Sequence, residues 1–202
     1  MKPLASLSAL AALALLAGCA AQPPFGAFRA GLTQELVDTV DNPLLYVGVE
    51  GLGRESTVQP LQELDGVTTW RTPDGTSAIS TRDGLVVSTR SLGDDLMAAD
   101  IAGSVAASKG QGGGGYYPRF HTTLDGLSQP EFEAFQCRVS ARTSEDIVIL
   151  GRARASVRTD ETCTTPGREV TNSYWRAADG TMLRARQWIS EGVGVIITER
   201  LN

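Results

Sequence analysis

Apolar and polar residues alternate along most of the chain after residue 43, which is the pattern of β-strands with one buried and one solvated face. The alternation is plainest in residues 152–158, where Ala153, Ala155 and Val157 are expected to share the buried face. Segments of similar character are 44–50, 67–72, 76–82, 85–91, 132–142, 147–150, 169–177, 181–190 and 193–201. The pattern therefore predicts a protein built mainly from β-strands.

Asp-Gly pairs separate many of these strands, at 65–66, 74–75, 83–84, 125–126 and 179–180. Such pairs favour tight hairpins because both central residues of a type I′ turn need a positive φ. The sequence thus predicts an all-β fold, a long antiparallel meander with short connections. So many consecutive strands must curl or close to hide the edges of the sheet.

A short helix is expected before the first strand, over residues 33–40. Leu32, Leu36 and Val40 recur at a helical spacing, and Thr33 is a suitable N-terminal cap. The Asn-Pro pair at 42–43 ends this helix.

A second helix is predicted after the segment 85–91. Asp94 and Asp95 are expected to cap it, and Met97, Ile101 and Val105 would lie on one face. A flexible loop with a run of glycines at 112–115 is expected to follow, over 109–118.

The N-terminus has the pattern of a secretory signal peptide. Lys2 is followed by an apolar run over 4–17, and Gly18 precedes Cys19. The run is shorter than the roughly 20 residues that a membrane-spanning helix needs. Cleavage before Cys19 and acylation of its thiol are therefore expected, the alternative being an ordinary cleaved signal with a chance cysteine.

This interpretation divides the chain into three parts. Residues 1–18 form the lipoprotein signal peptide, and 19–31, rich in proline and glycine, form a flexible tether. Residues 32–202 are long enough for one domain with its own core.

The net charge and the cysteines further limit the partners and the site chemistry that we expect. Without the signal peptide, 17 basic residues face 23 acidic ones, so nucleic acid is not expected as a partner. Cys137 and Cys163 remain after Cys19, and in an oxidising envelope such a pair favours a disulfide over two buried free thiols. Their spacing supports neither a metal site nor a catalytic thiol.

No set of residues has the pattern of a catalytic site, and no cofactor is expected. His121 is the only histidine, and the chain has no Gly-x-Ser-x-Gly motif for a serine nucleophile. The carboxylate pairs Asp94/Asp95 and Glu145/Asp146 are adjacent in sequence, so their side chains project differently and do not flank one bond.

Two sets of residues are candidates for contact with a glycan. The first is a basic stripe suited to an acidic polysaccharide, formed by Arg152, Arg154, Arg158, Arg184 and Arg186. The second is the tryptophans, which stack on sugar rings: Trp70, Trp175 and Trp188. The alternatives are a solvated sheet face for the arginines and core burial for the tryptophans.

Several motifs together resemble the YjbF/GfcB family, the group 4 capsule polysaccharide lipoproteins. They are WRTPDG at 70–75, DGLVV at 83–87, TRSLGDDL at 89–96, NSYW at 172–175 and RARQW at 184–188. The resemblance covers residues 40–201 and the signal sequence. It marks a set of structural or binding positions: Trp70, Gly93, Asp94, Asp95, Leu96, Asn172, Tyr174, Trp175, Gly180 and Trp188.

The resemblance implies a meander curled on itself, like the half-open barrels of lipoprotein carriers, and a role beside exopolysaccharide or capsule secretion genes. We therefore expect a periplasm-facing accessory protein that acts by binding or assembly, with polysaccharide or export proteins as partners. The membrane is a partner through the acyl chains of Cys19, and Ala20, which is not Asp, favours the outer membrane. An acyl-chain carrier and a glycan-processing enzyme are the alternatives.

Overall fold

The computed structural model describes residues 23–111, 114–124, 127 and 129–202. The predicted signal peptide, Cys19 and the first residues of the predicted tether lie outside the described residues. So does the Asp-Gly pair at 125–126.

The described residues form one twelve-stranded antiparallel sheet and three short helices. The strands are β1 (Leu45–Val49), β2 (Arg54–Leu64), β3 (Val67–Arg71), β4 (Ala78–Arg82), β5 (Leu85–Arg90), β6 (Ala98–Asp100), β7 (Tyr117–Leu124), β8 (Pro130–Ile149), β9 (Arg152–Thr165), β10 (Arg168–Arg176), β11 (Met182–Ser190) and β12 (Gly194–Arg200). The helices are α1 (Ala27–Ala30), α2 (Gln34–Val37) and α3 (Ala102–Ser108). None of these helices is long and apolar enough to cross a membrane.

The predicted meander is confirmed, with one long-range pairing that completes it. Neighbours in sequence pair as hairpins, and β1 pairs with β12 so that the strand order runs from β5 to β1 and then from β12 to β6. The Asp-Gly turns at 65–66 and 83–84 have positive φ at both residues, as type I′ turns require.

The sheet curls until it is nearly a closed barrel. Its two edge strands, β5 and β6, meet where the Thr89 N–H donates to the Leu96 carbonyl at 2.8 Å. The Val86 N–H donates across the interior to Oε1 of Gln187 at 2.8 Å. The curl therefore covers the edge of β5, as expected for a strand edge that would otherwise be left unpaired.

The two halves of the interior are filled differently. Between β1–β5 and β11–β12 lies an apolar core, formed by Leu45, Val47, Val49, Val58, Trp70, Ile79, Val86, Leu96, Ile189, Val193 and Ile196. Between β7 and β10 lies helix α3, whose Ser104, Ala107 and Ser108 are buried. This second half carries polar side chains instead of a purely apolar core.

Three sequence-based predictions differ from the structure. Asp94 and Asp95 cap no helix, because residues 98–100 pair with β7 as a strand and α3 begins only at Ala102. Ala153 and Ala155 are exposed, because this end of β9 extends beyond the pairing with β10, which begins at Val157. The helix predicted over 33–40 corresponds to α2, which is shorter and spans only Gln34–Val37. Thr33 caps it as expected.

The segment expected to be tether is partly folded. Residues 27–30 form α1, and Oε2 of Glu55 accepts the backbone N–H of Gly26 at 2.8 Å. Arg29 reaches Oε1 of Glu199 at 2.6 Å. The N-terminal segment is thus fixed to the sheet from about residue 26 onward.

Candidate functional site

The barrel opens at one end into a cavity of about 470 Å³, where β3 begins and β4 ends against the start of β11 and the end of β12. We call this cavity the polar mouth. Its deep residues are Trp70 and Thr81, and its rim includes Glu63, Arg82, Asp83, Arg176 and Arg200. The volume lies within the range of small-ligand sites.

The wall of the polar mouth is held in a fixed geometry. The indole N–H of Trp70 donates to Oγ1 of Thr81 at 2.9 Å, across the β3–β4 pair. Only 7% of Trp70 is exposed, so the ring offers a limited surface at the base of the cavity. Three threonines also line it: Thr68 of β3, Thr181 directly before β11, and Thr198 of β12.

The rim carries an excess of positive charge. The side chains of Arg82 and Arg200 make no hydrogen bond or ion pair within the described part of the chain. Arg176 is buried and donates to neutral oxygens, the Gly180 and Asp83 carbonyls at 2.7 Å each and Ser108 Oγ at 3.0 Å. Burial lowers the pKa of Arg176, and Asp83 partly opposes that shift.

The acidic groups at this rim are fewer. The Asp83 carboxylate already pairs with Lys109 at 2.7 Å, which leaves Glu63 as the other carboxylate of the lining. Guanidinium groups bind carboxylates in a bidentate manner. The polar mouth is therefore suited to a ligand that carries a carboxylate group.

A second group of polar side chains is fully enclosed, in the half of the barrel that α3 fills. Glu161 accepts from Ser104 Oγ, from Tyr174 Oη at 2.8 Å and from Asn172 Nδ2 at 2.9 Å. Arg119 lies 3.5 Å from Glu161, and both are at most 1% exposed. With this burial, the network has a structural role.

His121 belongs to the same network and is held neutral. Its Nε2 accepts from Arg119 Nε at 2.9 Å, so Nδ1 carries the hydrogen and donates to the Ile189 carbonyl at 3.1 Å. Burial, and then the charge of Arg119, lower the pKa of His121 to about 3. Burial and then the charge of Glu161 raise the pKa of Tyr174 well above its usual value.

The expected disulfide is present between Cys137 on β8 and Cys163 on β9. Both cysteines are completely buried, and Glu161 lies beside them. The three residues are close enough to share a metal ion, but sulfurs bonded to each other are not thiolates. In this oxidised state the cluster is a cross-strand link.

The family positions at 93–96 close the barrel. Asp95 accepts from Thr89 Oγ1 at 2.7 Å and from the backbone of Ser91 at 2.8 Å, while Gly93 has a positive φ of 107°. Asp94 accepts the Gly192 N–H at 3.0 Å, and Leu96 lies in the apolar core. These residues fix the turn that joins the two edges of the sheet.

The other family positions divide between the network and the mouth. Asn172 and Tyr174 bind Glu161, and Trp188 stacks on His121 with ring centres 5.8 Å apart. Trp175 donates to Glu145 and lies under Arg158 and Arg184. Only Trp70 and Gly180 line the polar mouth.

Two arginines of the predicted stripe, Arg158 and Arg184, lie over the same Trp175 ring, but three of the five have carboxylate partners. Arg158 pairs with Asp160, Arg184 with Glu199 and Arg186 with Glu50. The arginines of the polar mouth were missed, because Arg82 and Arg200 meet only through the pairing of β1 with β12. No local signal in the sequence marks them.

Comparison with known structures supports the fold. The hypothetical lipoprotein YmcC from Escherichia coli (K12) matches with a TM-score of 0.71 and 17% identity, over 87% of this chain and 91% of that one. No curated protein sequence matches the chain. A family model described as group 4 capsule polysaccharide lipoprotein gfcB, YjbF matches residues 22–201, nearly the whole chain. The protein therefore belongs to the YjbF family of group 4 capsule polysaccharide lipoproteins.

Proposed function

We propose that this protein is a lipid-anchored, periplasm-facing accessory lipoprotein that binds an anionic segment of a capsule polysaccharide or exopolysaccharide at the polar mouth. Binding there would assist the production or export of that polymer. The observation that carries the proposal is the pair of guanidinium groups of Arg82 and Arg200 beside Trp70, which have no partner among the residues that the structure describes. The family description supplies the polymer class.

The anchor belongs to the proposal. Cys19 follows a signal sequence, and acylation there would hold the domain at the membrane, with Ala20 favouring the outer membrane. Phe25 and Phe28, both about 40% exposed, lie on the N-terminal segment that follows the anchor and are suited to a membrane surface.

A glycan-processing activity has less support. Asp94 and Asp95 are bound within the closing turn, and Glu145 accepts from the indole of Trp175. An acyl-chain carrier has one observation in its favour, an apolar cavity described below.

Secretion tests the proposal in cells. A deletion strain is complemented with the Arg82→Gln/Arg200→Gln variant, with a control of equal charge change, Arg90→Gln/Arg138→Gln, whose residues are exposed. We expect the mouth variant to secrete as little polymer as the deletion strain and the control to restore secretion. Full restoration by the mouth variant, at equal protein level in the membrane fraction, would contradict the proposal.

A further inference from the structure

The wall of the barrel has a gap at the end opposite the polar mouth. Residues 54–58 of β2 pair with β1 only, because β3 ends at Arg71, opposite Gln59. A cavity of about 650 Å³ lies in this gap, between β2 and the β3–β4 connection. We call it the apolar opening.

The floor of the apolar opening is the apolar core itself. Val47, Val49, Val58 and Ile79 face it, each less than 7% exposed, and partly buried Leu92 joins them. A cavity lined in this way favours a hydrocarbon ligand over a sugar.

Both carboxylates at the lip already have partners, whereas the exposed Arg54 makes no hydrogen bond or ion pair with other described residues. Glu55 accepts the Tyr46 hydroxyl at 2.6 Å and the Gly26 N–H at 2.8 Å. Asp74 accepts from Thr72 at 2.6 Å and from Thr76 at 2.9 Å. A ligand that enters the cavity therefore does not need to donate hydrogen bonds to these carboxylates.

The N-terminal segment forms the outer lip of the opening. Pro23 and Phe28 line it, and Cys19 precedes Pro23 by four residues. An extended chain of that length spans at most roughly 14 Å. Any lipid on Cys19 is thus confined close to the opening.

We propose that one acyl chain of the lipid on Cys19 enters the apolar opening and packs on Val47, Val49 and Val58. The inference rests on the acylation in the proposed function. A chain in the cavity and a chain in the bilayer both escape water, and the short tether gives the protein's own lipid a high effective concentration at the opening. The opening is thereby filled by the anchor of the same molecule.

Photo-crosslinking of the full chain in its membrane tests this inference. Cells are grown with a diazirine-bearing palmitic acid, irradiated, and the protein is digested with trypsin for mass spectrometry. We expect the lipid on the peptide 19–29 to be joined to the peptides 30–54, 55–71 or 72–82, which contain the floor residues. The intact mass reports separately whether Cys19 is acylated.

Two variants of neighbouring residues on β2 provide the comparison. Ser56 lines the opening and Thr57 does not, so Ser56→Phe should lower the cross-link yield about tenfold by filling the cavity. Thr57→Phe should leave it unchanged. An acylated Cys19 that cross-links only to bilayer lipids, or an opening that cross-links to phospholipid instead, would overturn the inference alone. An unacylated Cys19 would contradict both this inference and the lipid anchor of the proposed function.

Discussion

Single residues inside the barrel explain why polar side chains are tolerated there. Glu161 is completely buried and has four partners, Ser104, Asn172, Tyr174 and Arg119. A buried charge is costly unless it is paired and hydrogen-bonded. The partners come from three elements, Ser104 from α3, Arg119 from β7 and the other two from β10, so the network fixes how α3 sits against β7, β9 and β10.

Removing the cation of this network should destabilise the fold strongly. Arg119→Met leaves Glu161 buried without its counter-ion, which typically costs about 3–5 kcal/mol. Urea unfolding measures the free energy of unfolding, and Arg152→Met, an exposed arginine, should change it by less than about 0.5 kcal/mol. Equal effects of the two variants would show that the buried pair has no special role.

His121 should make the fold sensitive to mild acid. Its pKa is about 3 in the folded state and about 6.5 when unfolded, so between these values only the unfolded state binds the proton. The free energy of unfolding therefore falls as the pH drops from about 6.5 toward 3, by up to about 1.4 kcal/mol per pH unit, and this loss is absent above 6.5.

The comparison variant for this prediction is His121→Gln, which keeps a neutral donor and acceptor. Urea midpoints between pH 4.5 and 7.5 should decline more steeply for the natural protein than for the variant. Parallel pH profiles would mean that His121 does not titrate between the two states as argued.

At the scale of elements, the Glu55 carboxylate holds the backbone of the N-terminal helix, beside the ion pair of Arg29 with Glu199. Burial alone would raise the pKa of Glu55, but hydrogen bonds from Tyr46, Gly26, Arg29 and Phe28 outweigh it and lower that pKa. The contacts are therefore intact above the usual range of a glutamate and weaken as the pH falls through the lowered pKa.

Glu55→Gln should release α1, since a neutral amide accepts the same N–H groups more weakly. Trypsin cleavage after Arg29, followed by mass spectrometry at neutral pH, is expected to be faster in this variant. The exposed Glu35, on α2, gives a control as Glu35→Gln. Cleavage at the same rate in all three proteins would argue against this role of Glu55.

The disulfide between β8 and β9 also stabilises the fold at the scale of elements. Replacing Cys137 and Cys163 together with alanine should lower the free energy of unfolding by about 3 kcal/mol, the chain-entropy value for a separation of 26 residues. Urea unfolding of this variant and of the natural protein checks it. Non-reducing peptide maps in which both thiols are alkylated would remove the basis of the prediction.

The sequence predicts elements where the signal is local. The turns at Asp65 and Asp83 are right because Asp and Gly both accept the positive φ of a type I′ turn, although at 74–75 and 179–180 only the glycine has a positive φ. Thr33 caps a helix as expected. Strand β2 was missed because its residues 59–64 are mostly polar or exposed. Asp95 was wrong as a helix cap, because it binds Thr89 and Ser91 within a turn instead.

At the scale of the whole molecule, the meander and its curl follow from the pattern, but the site does not. The pairing of β1 with β12 brings Arg200 to Arg82, and no periodicity reports a contact between the two ends of a chain. The burial of Arg119 and Glu161 is also not predicted, because alternation alone would place both side chains on the solvated face of the sheet. Long-range contacts of this kind decide the chemistry of the barrel.

The two ends of the barrel differ in chemistry. The apolar opening lies beside the N-terminal segment, and the polar mouth lies at the other end of the same strands. An anchor at Cys19 would therefore place the apolar end toward the membrane and the arginines toward the periplasm. This polarity connects the anchor to the proposed binding site.

The most direct test of this account is the affinity of the full-length, membrane-extracted protein for the polysaccharide of its own host, measured by titration calorimetry. We expect saturable binding that Arg82→Gln/Arg200→Gln weakens at least about tenfold, or 1.4 kcal/mol, through the loss of charge-assisted contacts. Arg90→Gln/Arg138→Gln should bind like the natural protein. Absence of binding, or equal affinity in all three proteins, would contradict the polar mouth as a polysaccharide site.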